Sequence, residues 1–281
     1  MNHQLGIAPC VSVLVPAYNE AATIGIVVRH VLSLPIVKEV IVVDDCSTDG
    51  TAEVMSEIDD PRLKLLKQPQ NAGKTAAIQR ALDEVSGDIV IIQDADLEYD
   101  PSEIPNVVDP ILRGKADVVY GSRFLVRKAA RVLYYYHALA NHSLTTLSNL
   151  LTNLNLTDVE TGYKAFRTEV IRGIPLVSRG FGMEIELTAS VAKLGVRIYE
   201  VPISYYGRTY AEGKKIGFKD GLSALWYILY FNALEPFTER RKSYFDAARE
   251  RLARGAERFP RIDTIRPGPR TRRDSVNPRL K

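Results

Sequence analysis

From Val11 to Ser122, short runs rich in valine and isoleucine alternate with helix-patterned stretches, and this alternation leaves few folds open. VSVLVP (Val11–Pro16), VIVVDD (Val40–Asp45), RLKLLK (Arg62–Lys67), DIVIIQ (Asp88–Gln93) and ADVVYGS (Ala116–Ser122) read as strands. Helices are expected between them at Ala21–Leu34, Thr51–Ile58, Ala76–Val85 and Pro101–Arg113. Thr48-Asp49-Gly50 supplies a turn and cap for the second helix. Asp100 caps the fourth, with proline at its first position. Apolar runs without polar alternation predict strands buried on both faces, hence a mostly parallel sheet between layers of helices. The fold class is α/β.

Beyond Arg123 the alternation stops. Val132, Tyr136, Leu139, Leu144, Leu147, Leu151 and Leu154 approximate one helical face within Arg131–Leu154. A turn-rich piece, TDVETGYKAFR (Thr157–Arg167), comes next, then a helix around Glu184–Leu194 and a strand, RIYEVPI (Arg197–Ile203). Phe259–Lys281 is rich in proline and arginine and is expected to lack fixed structure. The net charge of +3 is unevenly spread. Glu239–Lys281 holds fourteen Lys/Arg against six Asp/Glu, so the tail is basic and residues 1–238 are mildly acidic. Cys10 and Cys46 are too few for a disulfide framework or a zinc site and suit a reduced, cytoplasmic setting. The start, MNHQLGIAPC, carries no secretory pattern, and the most apolar segment, Leu222–Leu234, is shorter than the ~18–20 residues that span a bilayer. A chain that is soluble or bound to a membrane surface is expected.

In an open parallel sheet, ligands bind beyond the carboxyl ends of the strands. Three strand ends here carry notable residues: PAYNE (Pro16–Glu20), Asp44-Asp45, and Asp94-Ala95-Asp96 within IIQDADLEYDP. Carboxylates this close repel one another unless a cation lies between them. Hard oxygen ligands suit Mg²⁺ or Mn²⁺, and such an ion carries an anionic diphosphate with it. Two rival α/β chemistries lack their glycines. The loop after the first strand, PAYNEAAT, has none to seat a dinucleotide pyrophosphate, and NAGKTAA (Asn71–Ala77) has Gln68 where a P-loop needs its first glycine.

PAYNE, VVDDCSTDGT, NAGKTAA and DADLEYDP, in this order and spacing, resemble the family 2 glycosyltransferases of the GT-A fold. The likeness to the dolichyl- or polyprenyl-phosphate sugar transferase branch extends through GSR (Gly121–Arg123), DVETGYKAFR and VPISYYGRTYAEGKK (Val201–Lys215). It covers roughly residues 11–235 and implies a GT-A domain over residues 1–237, followed by a basic helix and tail over 238–281. The resemblance also implies roles. Pro16, Tyr18 and Glu20 line the nucleobase and ribose pocket, with Val42 and Asp44 completing it. Asp94 and Asp96 hold the metal and diphosphate beside the backbone of Ala95. Glu98 joins that shell, where many relatives have glutamine. Arg123, Arg208 and Lys214 match positions that contact phosphate, and with Asp96 form the catalytic set. The implied activity is inverting transfer of a sugar from a nucleotide diphosphate sugar, GDP-mannose or a UDP-hexose, to a polyprenyl phosphate.

The basic residues suit that chemistry by themselves. A lipid phosphate is already ionised near neutral pH, so it needs compensation for gathered anions more than a strong base. Lys164, Arg167, Arg208, Lys214 and Lys215 are candidates. A hydroxyl acceptor on a saccharide or small metabolite would instead call on a carboxylate, with Asp158, Glu160, Glu184 and Glu186 available. A sugar-nucleotide-binding protein without turnover is the third reading. A lipid acceptor predicts peripheral contact with the cytoplasmic face of a membrane. Three segments suit it: the 131–154 stripe with Tyr134, Tyr135 and Tyr136, Leu222–Leu234, and Glu239–Arg258 with Tyr244, Ala248 and Leu252 on one face. No nucleic-acid reader is recognisable, and a homo-oligomer is compatible with everything above.

Overall fold

In a computed structural model, the structure describes residues 8–125, 132, 134–180, 182–207, 218–235 and 238–255. Seven strands form one sheet: β1 (Val11–Ala17), β2 (Val37–Asp44), β3 (Leu63–Lys67), β4 (Ile89–Ile92), β5 (Val118–Ser122), β6 (Lys164–Arg167) and β7 (Ile198–Pro202). Their spatial order is β3-β2-β1-β4-β6-β5-β7. Neighbours pair in parallel, except that β6 runs antiparallel to both β4 and β5. Every strand expected from the sequence is present; β6 is the one hidden in the turn-rich TDVETGYKAFR segment.

The two-residue period of each strand sorts its side chains into two cores. Val13, Val15, Val40, Val42, Ile89 and Ile91 face one layer, where α1 (Ile24–Leu32) and α4 (Ile104–Leu112) close over them. Leu14, Ile41, Val43, Val90 and Ile92 face the other, under α3 (Lys74–Leu82), α6 (Thr168–Ile171) and α7 (Gly182–Leu194). Between β2 and β3 lies the short α2 (Thr51–Ser56). A 3-10 turn, Pro101–Glu103, leads into α4, and Asp100 Oδ1 accepts the Ser102 N–H as its cap. A third, smaller core gathers Val159, Ile185, Ile228 and Phe231 with Leu144 and Leu147. It joins α7 to α5 (Tyr135–Thr152), α8 (Phe218–Leu229) and the π-helical turn Tyr230–Leu234.

The last described helix, α9 (Glu239–Arg254), departs from the expectation of a surface-seeking helix. Tyr244 and Ala248 are buried in the second core and Leu252 packs against it, so the apolar face is turned inward. Arg241 fixes the arrangement. It pairs with Glu186 on α7 and with Glu235, lies 5.3 Å from the Phe231 ring centroid, and is itself buried. The tail beyond Gly255, including Phe259–Lys281, lies outside the described residues.

Candidate active site

Parallel pairing brings three loops to one edge of the sheet. Ala17 at the end of β1 faces Asp44 at the end of β2, and β4 ends at Ile92 beside Leu14. The loops after β1 and β2 are laced together. Asn19 donates its backbone N–H to Ser47 Oγ and accepts the Thr48 N–H at its Oδ1. Glu20 N–H donates to Thr51 Oγ1 at 3.0 Å, and Ala21 N–H to Asp49 Oδ2 at 3.0 Å. These bonds explain why an asparagine and an Asp-Gly-Thr turn stand in PAYNE and STDGT: each satisfies backbone donors that the other loop leaves open.

Asp44 and Asp45 do different work. Asp45 accepts the backbone N–H groups of Ala72 (2.9 Å) and Gly73 (2.7 Å), which sets the start of α3 and with it Lys74. Asp44 accepts the Ser47 N–H through Oδ1, while its buried Oδ2 has no hydrogen-bond partner among the described residues. That oxygen is an open acceptor beside the PAYNE loop. Pro16 and Glu20 are partly exposed there and Tyr18 is exposed, so each can face a ligand. Val42 differs: it is fully buried in the first core, two residues inside the strand, and packs rather than lines the edge.

Asp94 and Asp96 follow β4, both partly exposed, with Ala95 buried between them. Lys74 Nζ lies 2.7 Å from Asp94 Oδ1 and 3.3 Å from Glu184 Oε1, the latter in the first turn of α7. Burial alone would depress the Lys74 ammonium; Asp94 and Glu184 outweigh it and hold its pKa above the ordinary lysine value. Asp94 Oδ2 approaches Gly162 so closely that a Cβ there would lie 2.7 Å from it. The glycine of DVETGYK is what allows this approach. Tyr99 closes the other side: its hydroxyl accepts the Gly162 N–H at 3.0 Å, and its ring stacks on Tyr163.

Glu98 is drawn away from this pair. Its Oε2 accepts the Tyr205 hydroxyl at 2.8 Å, and its carbonyl accepts the Tyr206 N–H. Among the described residues no group of three His, Cys, Asp or Glu is gathered as a metal cage. The expected third ligand is therefore better placed as a hydrogen-bond acceptor for Tyr205. Two aspartates still fit a hard divalent ion, since Mg²⁺ commonly takes one or two carboxylates and completes its shell with phosphate oxygens and water. The space that a Cβ on Gly162 would fill keeps Asp94 in place for such a ligand.

Arg123 also differs from expectation. Its Nε and Nη2 donate to the two oxygens of Asp158, each at 2.7 Å, and the guanidinium lies 5.1 Å from the Tyr205 ring centroid. Asp158 is buried and accepts Asn141 Nδ2 from α5 as well. The charge of Arg123 is already matched, so its main contact is Asp158 rather than a free phosphate. Lys164 is buried too, donating to the carbonyls of Val159 and Thr161 under the Tyr120 ring, and burial holds its pKa down. Arg167 is a buried partner of Asp117. Arg208, Lys214 and Lys215 lie outside the described residues. Both oxygens of Glu160 are buried without hydrogen-bond partners among the described residues; burial first, then nearby Glu184, pushes its carboxyl up to about 8.

Reading the sequence assigned no role to Lys74, Gly162, Tyr99 or Tyr205. The NAGKTAA and DVETGYK motifs contain the first two, but nothing in their spacing tells that Lys74 meets a glutamate 110 residues away.

A mostly parallel sheet with acidic loops at one edge and an inserted antiparallel strand defines a GT-A glycosyltransferase, and the comparisons agree. Residues 12–174 match the Glycosyl transferase family 2 profile, and the chain belongs to that family. It is 28% identical over 212 residues to an undecaprenyl-phosphate mannosyltransferase of Micrococcus luteus, covering 73% of this chain and 86% of that one. It is 29% identical to a dolichol-phosphate mannosyltransferase of Pyrococcus furiosus, over 74% of this chain and 59% of the relative. In fold it is similar to glucosyl-3-phosphoglycerate synthase of Mycobacterium tuberculosis. The form solved with Mn²⁺ and UDP-glucose aligns with a TM-score of 0.64 at 23% identity, covering 82% of this chain and 81% of the other.

Proposed function

We propose that this glycosyltransferase moves one sugar from a nucleotide diphosphate sugar to a polyprenyl phosphate, with inversion at the anomeric carbon. The observation that carries the reading is the meeting of Asp94 and Asp96 with the PAYNE loop and the open Asp44 oxygen at one sheet edge. Pro16, Tyr18, Glu20 and Asp44 take the nucleoside, and the Asp94–Ala95–Asp96 turn takes the diphosphate. Asp94 and Asp96 would hold Mg²⁺ or Mn²⁺, which would supply positive charge toward the leaving diphosphate. Lys74 holds Asp94 from behind and adds positive charge to the same wall. Arg208 and Lys214 are assigned to the acceptor phosphate on the family pattern.

In the transfer, an acceptor phosphate oxygen forms a bond to the anomeric carbon from the face opposite the diphosphate. The carbon–oxygen bond to the diphosphate breaks, and the nucleoside diphosphate leaves with that electron pair. An ionised phosphate gives up no proton. The carboxylates support this acceptor over a hydroxyl. Asp158 pairs with Arg123, Glu184 with Lys74 and Glu186 with Arg241, while the Glu160 carboxylate is closed off from solvent. Each group that a hydroxyl acceptor would use as a base is thus committed or enclosed. The relatives named for undecaprenyl-phosphate and dolichol-phosphate transfer support the same acceptor class.

The test is transfer from radiolabelled GDP-mannose and UDP-hexoses to polyprenyl phosphate in mixed micelles, set beside soluble saccharide acceptors. Transfer only to soluble acceptors refutes the lipid. Asp96→Asn is expected to lower kcat at least ~100-fold while leaving thermal unfolding unchanged, since it removes charge stabilisation confined to the reacting centre. Full activity in that variant refutes the metal assignment.

A further inference from the structure

The active-site edge receives a fourth loop. Strands β6 and β5 lie between β4 and β7, and because β6 is antiparallel to both of its neighbours, β7 ends at the same edge as β4. The segment after β7, Ile203–Gly207, is fastened to the residues after β4 by four hydrogen bonds. Ser204 gives its backbone N–H and its hydroxyl to the two oxygens of buried Glu103, at 2.8 and 3.1 Å. The Tyr205 hydroxyl donates to Glu98 Oε2 at 2.8 Å, and the Tyr206 N–H donates to the Glu98 carbonyl at 2.9 Å.

Glu98 is where this fastening reaches the chemistry. Its own N–H donates to Asp96 Oδ1 at 3.1 Å. The residue whose side chain and carbonyl hold the 203–207 segment therefore also fixes one oxygen of the aspartate assigned to the metal. Tyr205 is buried and forms the other hub. Its ring lies 5.4 Å from that of Tyr99 and 5.1 Å from the Arg123 guanidinium, whose partner is Asp158. Gly207 makes room for this ring, since a Cβ there would come within 2.6 Å of it. A glutamate on a solvated turn needs no tyrosine. A charge-assisted bond from a buried hydroxyl, backed by a main-chain bond from the next residue, holds a geometry. Two side chains thus link Asp96 to Arg123.

We propose that Tyr205 and Glu98 are positioning residues that lock the turn carrying Asp96 to the Ile203–Gly207 segment and to Arg123, so that binding of the diphosphate is felt across the site. The proposal rests on the lipid-phosphate reading for its meaning in turnover: Asp96 stands on the donor side, and the sequence after Gly207 continues into Arg208, assigned to the acceptor phosphate. It gives Glu98 a task other than ligating the ion. A ligand acts through its carboxylate whatever Tyr205 does; a lock acts only while Tyr205 is bonded to it.

Hydrogen exchange read by mass spectrometry, on the peptides that hold the amides of residue 98 and Tyr206, needs no substrate. Tyr205→Phe keeps the ring and removes the hydroxyl; it is expected to speed exchange in both peptides by about tenfold, as loss of one hydrogen bond to a charged group implies. Glu98→Ala should do the same, and the double variant no more than either single one, because both break one bond. Glu98→Gln keeps an acceptor oxygen and should recover most of the protection. In the unsubstituted protein, UDP or GDP with Mn²⁺ is expected to slow exchange in both peptides, and in Tyr205→Phe only in the one that holds residue 98. In turnover, Tyr205→Phe and Glu98→Ala should each lower kcat about tenfold, with KM for the nucleotide sugar held within about twofold and urea midpoints unchanged. Unchanged exchange in Tyr205→Phe, or additive losses in the double variant, overturns the proposal. So does a Tm shift with Mn²⁺ and nucleotide that disappears in Glu98→Ala and persists in Tyr205→Phe, for then Glu98 is a metal ligand. Coupled exchange without use of polyprenyl phosphate would sink the acceptor reading and leave the lock standing. Uncoupled exchange in a protein that uses the lipid would do the reverse.

Discussion

Gly162 shows how a single missing methyl group sets the geometry of a carboxylate. A Cβ at this position would meet Asp94 Oδ2 at 2.7 Å and come within 3.5 Å of Lys74 Nζ. Both neighbours are ends of side chains, so they can yield without moving backbone. Gly162→Ala is therefore expected to change stability by no more than ~1 kcal/mol while lowering kcat/KM ~10- to 100-fold, because displaced reacting groups are costly. Thermal unfolding and steady-state kinetics on one preparation separate the two effects. A second carboxylate matters for stability alone. Glu39 is buried and accepts from Ser12, Ser86 and Gly87, with Lys64 at 2.9 Å. Burial would raise its pKa, but these donors and Lys64 together lower it to about 2 from 4.5. A depressed carboxylate stabilises the fold above its unfolded pKa and loses that contribution as pH falls through the folded one. Glu39→Gln is expected to cost ~1–3 kcal/mol near neutral pH. In urea titrations the gap from the unsubstituted protein should close between pH 4.5 and about 2.

At the scale of elements, α9 is held by charge as well as by packing. Arg241 pairs with Glu186, which also accepts the Val177 and Ser178 N–H groups at the approach to α7. Arg241→Ala would leave Glu186 buried without its cation and Glu235 with Lys193 alone, at 3.7 Å, and breaking such a buried pair typically costs ~3–5 kcal/mol. Because α7 carries Glu184 in its first turn, loss of activity should accompany the loss of stability; unchanged urea midpoints would refute the clamp. Cutting the chain after Phe237 would strip Tyr244, Phe245 and Ala248 from the second core, so that truncation reports on folding more than on membrane contact. These elements also show what the sequence could express. Strands β1, β2 and β4 are legible because each is an unbroken apolar run buried on both faces. Strand β6 is only KAFR, entered from a tight turn, and carries Lys164 and Arg167, which bury themselves on backbone carbonyls and on Asp117. Charged ends disguise a central strand. The direction of α9 was hidden for a related reason: an amphipathic helix has one pattern whether its apolar face meets lipid or its own core.

The strand order of the whole molecule determines which motifs can act together, and it brings three of the family's motifs to one edge while giving Arg123 and Glu98 partners of their own. PAYNE, Asp44 and the Asp94–Asp96 pair meet because β1 lies between β2 and β4, with all three parallel. Partners of Arg123 and Glu98 come from elements distant in sequence, so no local spacing revealed Asp158 or Tyr205 as their contacts. One consequence concerns the order in which ion and nucleotide bind. The described residues supply two accessible aspartates and no third gathered ligand, and Lys74 already compensates one of the two. A divalent ion alone should bind weakly, and the diphosphate should complete its coordination. Ligand at about 100 times its Kd adds ~2.7 kcal/mol to the native state, which for a domain of this size raises Tm by ~5–10 °C. Mn²⁺ alone and nucleotide diphosphate alone are each expected to shift Tm by less than a third of what the two give together. In Asp96→Asn the joint shift should fall to that of nucleotide alone, which persists because the PAYNE loop and Asp44 are untouched. An equal shift from Mn²⁺ without nucleotide would place a complete metal site elsewhere in the chain.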